Sequence, residues 1–125
     1  MSIESEVRAA VVATGVVGER AWRGRAPDSE RLPYFTFFGP LSSVPSLLGS
    51  GRTMARRRQV QGDLWQDPTD EGDPGANAEA ILNALDGLRV PTTPRSFRLR
   101  VTQMVEVPDP ELIHHSFTIG VDHLR

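Results

Sequence analysis

Two segments of the chain have the hydrophobic spacing of amphipathic helices. Residues 2–14 place their apolar side chains on one helical face, and Ser2 is suited to cap such a helix. A second apolar stripe follows Asp73 and Pro74, which are typical of a helix cap and a first helical turn, and Gly87 is suited to end it. The stripe of this second helix consists of Ala78, Ile81, Leu82, Leu85 and Leu88.

Alternating apolar and polar residues predict a hairpin in the last third of the chain. Residues 95–107 and residues 112–121 both alternate with the period of a half-buried strand. The link Pro108-Asp109-Pro110 between them predicts a tight turn. The apolar side chains that the pattern places on one face of the first strand are Phe97, Leu99, Val101, Val105 and Val107.

The first half of the chain predicts further strands and one long loop. Residues 19–25 form a short strand around Trp22, and the aromatic residues 33–39 form a strand with a buried face. Residues 40–53 are rich in Gly, Pro and Ser and predict a loop, while 54–65 contain no Pro and predict a long strand. We expect the strands over 33–39 and 54–65 to form a projecting hairpin with the loop over 40–53 at its tip.

The order of these elements predicts an α+β fold. Half-polar strands suit a single mixed or antiparallel sheet of four to five strands, with the two helices packed on one face. With 125 residues, the chain is expected to form a single domain over residues 1–125.

Composition excludes several chemistries. The chain has no Cys, and its 14 basic residues are all Arg, so disulfides, thiolate metal sites and Schiff-base lysines are excluded. The net charge of −2 gives no overall positive field to attract nucleic acid. No apolar run approaches the roughly 20 residues of a membrane span, and residues 1–10 do not form a signal peptide, so we expect a soluble protein.

No pattern in the sequence indicates a catalytic or metal site. His114 and His115 are adjacent on a predicted strand, so they face opposite sides and cannot bind one ion together. His114 and Asp122 share a face but are about 26 Å apart. We expect a surface-exposed His114, a half-buried and hydrogen-bonded His115, no metal, no catalytic residues and no cofactor.

Charged residues are separated along the chain. A basic block is followed by an acidic block: Arg52, Arg56, Arg57 and Arg58, then Asp63, Asp67, Asp70, Glu71 and Asp73. Three interpretations remain open. The charges could form a solvated edge that blocks unwanted strand pairing, a nucleic-acid patch, or complementary patches that join copies head to tail.

Several segments together resemble a known family. Leu32-Pro33-Tyr34 leads into an early strand, and Arg57-Arg-Gln-Val-Gln-Gly-Asp-Leu-Trp65 is a long strand with polar flanks. A helix over residues 76–87 ends in Leu85-Asp86-Gly87, and the final strand contains His114-His115-Ser-Phe-Thr-Ile119. With the N-terminal helix before them, these segments resemble the tail terminator (tail completion) proteins of long-tailed bacteriophages.

The resemblance implies a structural role in a virion. It implies a ring, a homohexamer in the virion, that caps the tail tube at its head-proximal end, stops tube polymerisation and presents a docking surface for the head. The implied partners are further copies of the chain, the tail tube protein and the head connector or neck protein, with DNA only as passing cargo and no membrane. Assembly would take place in the host cytoplasm.

The predicted interface combines the long loop with the two charge blocks. Its residues are Leu41, Val44, Leu47, Leu48, Arg52, Arg56, Arg57, Arg58, Asp67, Asp70 and Glu71. The alternatives are another neck component, such as a head-completion or connector protein, and a small enzyme or ligand-binding domain.

Overall fold

The computed structural model describes residues 2–28, 30–43, 57–69, 72–91 and 96–124, with the backbone alone at 40–43, 57, 123 and 124. In chain order the elements are α1 (Ile3–Ala13), β1 (Ala21–Arg23), β2 (Tyr34–Ser43), β3 (Arg57–Gln66), α2 (Pro74–Leu85), β4 (Arg89–Val90), β5 (Ser96–Val107) and β6 (Ile113–Leu124).

Both helices begin at the predicted caps. The Ser2 hydroxyl accepts a hydrogen bond from the Ser5 backbone N–H, and the Ser5 hydroxyl lies 3.1 Å from the Ser2 nitrogen, which completes a capping box. At the start of α2, the Asp73 carboxylate accepts from the Ala76 N–H, and Pro74 occupies the first helical position. Gly87 follows α2 with φ 84°, a conformation that residues with a Cβ rarely adopt.

The described strands form one six-stranded sheet with the order β1-β2-β3-β6-β5-β4. β1 runs parallel to β2, and every other pairing is antiparallel, so the sheet is mixed. The expectation of four to five strands was therefore too low. The strand that was not predicted is β4, at one edge of the sheet, because its two residues are too few to produce an alternating pattern.

Both helices pack on the same face of the sheet. α1 contacts β1 and β2, α2 contacts β5 and β6, and the helices contact each other. Their buried side chains join one hydrophobic core with the inward-facing residues of the sheet. The largest fully buried side chains are Phe35, Phe37, Phe117, Leu64, Ile81, Leu85, Leu99 and Ile119.

The first half of the sheet corrects the predicted loop over residues 40–53. β2 continues to Ser43, which pairs with Arg57 of β3, so residues 40–43 belong to the strand. A register shift between Phe38 and Leu41 accommodates one extra residue there. The rest of the predicted loop, 44–53, lies outside the described residues.

A second bulge corrects the predicted face of β5. The pairing with β6 shifts between Val101 and Gln103, which makes Thr102 the extra residue. Beyond the bulge the alternation changes face, so Met104 packs on the core, whereas Val105 and Val107 lie on the opposite face. The prediction that the last two valines share the apolar face was wrong because it assumed an unbroken period of two.

Candidate interaction surface

The predicted basic residues are only partly described. Arg57 and Arg58 pair with Ser43 and Ser42 at the end of the β2–β3 hairpin. The Arg58 guanidinium lies 5.5 Å above the centre of the Phe97 ring, a cation–π contact within the subunit. The backbone of Leu41 pairs with Gln59. Val44, Leu47, Leu48, Arg52, Arg56, Asp70 and Glu71 lie outside the described residues.

The predicted acidic partner Asp67 lies at the other end of β3. Its carboxylate accepts hydrogen bonds from the Thr69 backbone N–H at 2.9 Å and from the Thr69 hydroxyl at 2.8 Å. These donors hold the pKa of Asp67 below its ordinary value, the backbone N–H having the larger effect. Asp67 follows Arg58 by nine positions along β3, a distance of about 30 Å, so the two do not meet within one subunit.

The face of the sheet opposite the helices carries a polar network, and we call it the open face. It is defined by Thr36, Gln61, Asp63, Ser116 and Thr118. The Gln61 amide N–H donates to the Ser116 hydroxyl, and the Thr118 hydroxyl donates to the Gln61 amide oxygen at 3.4 Å. These bonds join β3 to β6, the two central strands, and they give the partly buried polar groups the partners that they need.

His114 belongs to the open face and is well shielded. Its Nε2 lies 2.7 Å from Oδ1 of Asp63, and its ring stacks on Trp65 with centroids 3.8 Å apart. Only 13% of the His114 side chain is exposed. The expectation of a surface-exposed His114 was wrong because the pattern does not show that Trp65 on the neighbouring strand covers the ring.

His115 faces the core on the other side of the sheet. It is 8% exposed, so it is buried rather than half-buried as predicted. Its Nδ1 has no hydrogen-bond partner among the described residues, so the prediction of a hydrogen-bonded ring is not met at that nitrogen. Burial lowers the pKa of His115, the charge of Glu106 opposes this shift, and that of His114 adds to it. Glu106 is the residue paired with His115 on β5.

Three arginines lie at the β4–β5 end of the open face, and the alternation of residues 95–107 predicted this face for Arg98 and Arg100 but not for Arg89. Arg89 pairs with Arg98, and Arg98 pairs with Asp122 on β6. The Arg100 guanidinium lies 3.4 Å from the Asp122 carboxylate, with both side chains at least half exposed. Arg98 and Arg100 share a face by alternation, and only the strand register adds Arg89 and Asp122 to them.

The exposed large hydrophobic residues of the described chain are Phe38 and Val105, each 42% exposed. Phe38 pairs with Gln61, and Val105 pairs with Ser116, so both lie on the open face. Phe38 lies on β2 and Val105 lies on β5, the strands next to the two edge strands β1 and β4. The bulge in β5 moves Val105 to the open face. The sequence pattern therefore did not predict that Val105 is exposed, and it did not show that Phe38 and Val105 lie near the edges of the sheet.

The described groups do not form a catalytic or metal-binding arrangement. Asp63 and His114 are paired, but the neighbouring Ser116 hydroxyl is bonded to Gln61 rather than to the histidine. No group of three His, Asp or Glu residues in the described ranges is placed to bind a metal ion. None of the helices in those ranges has the length and apolar character needed to cross a membrane.

A family model decides between the classes of protein that remain. The model described as "Tail completion protein gp17" matches residues 4–121. The chain belongs to this family. Tail completion proteins are structural virion proteins of the tail and not enzymes, so the enzyme alternative is dropped.

The comparison with solved structures agrees with the tail completion assignment in fold. The chain is similar to a chain from the virion of the native gene transfer agent (GTA) particle, with a TM-score of 0.67 and 13% identity. The similarity covers 98% of this chain and 94% of that chain, and at this identity it shows the fold alone. A search of curated proteins finds no match.

Proposed function

We propose that copies of this chain form a closed ring that caps the tail tube, stops its polymerisation and provides the surface to which the head docks. The observation that carries the proposal is the tail completion match over residues 4–121. The ring is a homohexamer at the head-proximal end of the tail, and its partners are the tail tube protein and the head connector. DNA passes through its channel as cargo.

The geometry supports an assembly role. The two edges of the sheet differ, and a protein with two different binding edges forms head-to-tail contacts that close into a ring when the rotation allows. A polar, hydrogen-bonded open face suits a surface that remains in contact with water or with a polar partner. These features fit a structural part of a virion.

The charge blocks supply a candidate contact between copies. The basic residues Arg52, Arg56, Arg57 and Arg58 and the apolar residues Leu41, Val44, Leu47 and Leu48 form one side, and Asp67, Asp70 and Glu71 of the next copy form the other. Because Arg58 and Asp67 lie at opposite ends of β3, these two residues can pair only between copies. Exposed ion pairs contribute at most about 1 kcal/mol each, so the charges align copies while the apolar residues supply affinity.

Charge reversal at this contact should prevent ring formation. The test uses Arg56→Glu with Arg57→Glu and leaves Arg58 in place, because Arg58 stacks on Phe97 within its own subunit. We expect the double variant to sediment as a smaller species than the wild type in the presence of tail tubes. The matched control, Arg31→Glu with Arg89→Glu, changes two exposed arginines elsewhere and should keep the wild-type ring. Rings of unchanged size in the first variant would contradict this contact.

Particles that lack the protein test the function itself. Electron micrographs of such particles should show headless tails of uncontrolled length, because nothing stops tube growth or docks the head. Tails of normal length that lack heads would instead favour another neck component, such as a head-completion or connector protein. Normal particles would contradict both roles.

A further inference from the structure

The two edges of the sheet each leave a stretch of strand uncovered. β1 pairs only with Phe35–Phe37 of β2, so residues 38–43 have no described backbone partner on their outer side. At the other edge, β4 pairs with two residues of β5, and the turn before it reaches Leu99 and Val101. Residues 103–107 of β5 pair with β6 on one side and with no described strand on the other.

The directions of the strands make these two stretches complementary. Three antiparallel steps lead across the sheet from β2 through β3 and β6 to β5, so β2 and β5 run in opposite directions. When a second copy continues the sheet edge to edge, its β5 therefore meets β2 in antiparallel orientation. The uncovered stretches contain six and five residues, about the length of an ordinary strand.

The side chains on both stretches favour such a contact. Phe38 and Val105, the exposed large hydrophobics of the described chain, lie one on each stretch and on the same open face of the sheet. Pairing of the two edges brings them into one interface, where burial removes apolar surface from water. Residues 103–107 contain no proline and no basic side chain, whereas the β2 stretch contains Pro40, which has no N–H to donate, and the bulge between Phe38 and Leu41.

Charge is complementary on the helix-covered side. Arg23 is at the end of β1, beside the uncovered part of β2; its side chain is 68% exposed and lies 3.4 Å from the Glu4 carboxylate of its own subunit. Glu106 is exposed within the uncovered part of β5. Edge pairing brings these opposite charges to the same side of the interface, which favours one orientation of the two copies.

We propose that residues 103–107 of one copy add as an antiparallel strand to residues 38–43 of the next copy, so that the sheets join edge to edge. This inference rests on the proposed ring and identifies the surface that builds it. The contact is heterologous, so each added copy exposes a new free edge until the ring closes.

Cysteine cross-linking tests the contact, because the native chain has no Cys. Antiparallel pairing of 103–107 with 38–43 places Val105 opposite residue 40 or 41, two or three positions and about 7–10 Å from Phe38. The variant with Phe38→Cys and Val105→Cys is therefore treated with a bis-maleimide cross-linker that spans about 10 Å. We expect a ladder of covalent species that rises in steps of 13.8 kDa to the full ring. Each single-cysteine variant can form dimers at most. A double variant that gives only such dimers, from rings visible in the same sample, would overturn the proposal.

A control pairing shows that the ladder depends on the edges. In the variant with Phe38→Cys and Asn83→Cys, the second cysteine lies on the exposed side of α2 and should give no ladder. The proposed contact predicts at least a tenfold lower yield of species larger than a dimer for this pair than for the edge pair. Equal yields from both pairs would contradict the edge contact.

A charged residue introduced at position 105 tests the edge contact separately from the proposed ring function. Val105→Lys should abolish rings while the far-ultraviolet circular dichroism and the unfolding midpoint stay as in the wild type, since Val105 is exposed. Intact rings from Val105→Lys would overturn the edge contact and leave the ring function standing. Absence of rings from the wild type, both free and with tail tubes, would overturn both.

Discussion

At the scale of residues, the adjacent histidines His114 and His115 differ in their environment because they lie on opposite faces of the sheet. His114 stacks on Trp65 and contacts Asp63 on the open face, whereas His115 lies in the core with Nδ1 unpartnered among the described residues. Alternation correctly placed them on opposite faces. It could not tell that both rings are shielded, because Trp65 of β3 covers His114 and the register of β3 with β6 is not encoded in local sequence.

The buried His115 predicts a pH-dependent stability. Burial lowers its folded-state pKa, so the unfolded chain binds a proton near pH 6.5 that the folded chain resists. The free energy of unfolding should therefore fall as the pH drops from about 7.5 to about 5.5, and the contribution of this residue should be fully present above that interval.

Replacing His115 tests this assignment. His115→Leu removes a buried nitrogen without a described partner, so its free energy of unfolding at pH 8 should equal or exceed that of the wild type. Urea denaturation should also show a smaller loss between pH 7.5 and pH 5.5 than in the wild type. An identical pH dependence in both proteins would show that His115 does not resist protonation in the fold.

At the scale of elements, the packing of the β2–β3 pair depends on a glycine. A Cβ added to Gly62 would lie 2.5 Å from Cζ of Phe35, a buried ring of the neighbouring strand. Gly62 therefore lets the aromatic ring of β2 pack across β3, where any larger residue would displace it.

Substitution of Gly62 measures this packing. Gly62→Ala should lower the free energy of unfolding by about 1–3 kcal/mol in urea denaturation, because the added methyl group overpacks the core. Gly120→Ala is the control, since its Cβ would meet Thr102 Cγ2 at an ordinary 3.5 Å. Adding Phe35→Leu should recover part of the loss in Gly62→Ala. Equal effects of the two alanine substitutions would contradict the account.

Elements with strong local signals were predictable, and those defined by pairing were not. The caps at Ser2 and Asp73 fix the helix starts through hydrogen bonds made within four residues, so the sequence carries them. The two-residue β4 and the bulge at Thr102 exist only because of their neighbours. For the same reason, the exposed Val105 and the position of Arg89 beside Arg98 could not be found from spacing.

At the scale of the whole molecule, the family could be recognised from the order of elements. The match over residues 4–121 confirms the suspected tail completion family. The predicted interface residues stay a prediction, and the uncovered edges of the sheet were not foreseen, because edge exposure follows from strand order.

The central claim is that copies of this fold close into a ring on the tail tube. A cryo-electron microscopy reconstruction of the head-proximal end of the intact tail tests it most directly. The account predicts a closed ring of copies, joined from the β5 edge of one to the β2 edge of the next, directly on the last layer of the tube. Isolated single copies at that position, or no copy of the chain there, would contradict it.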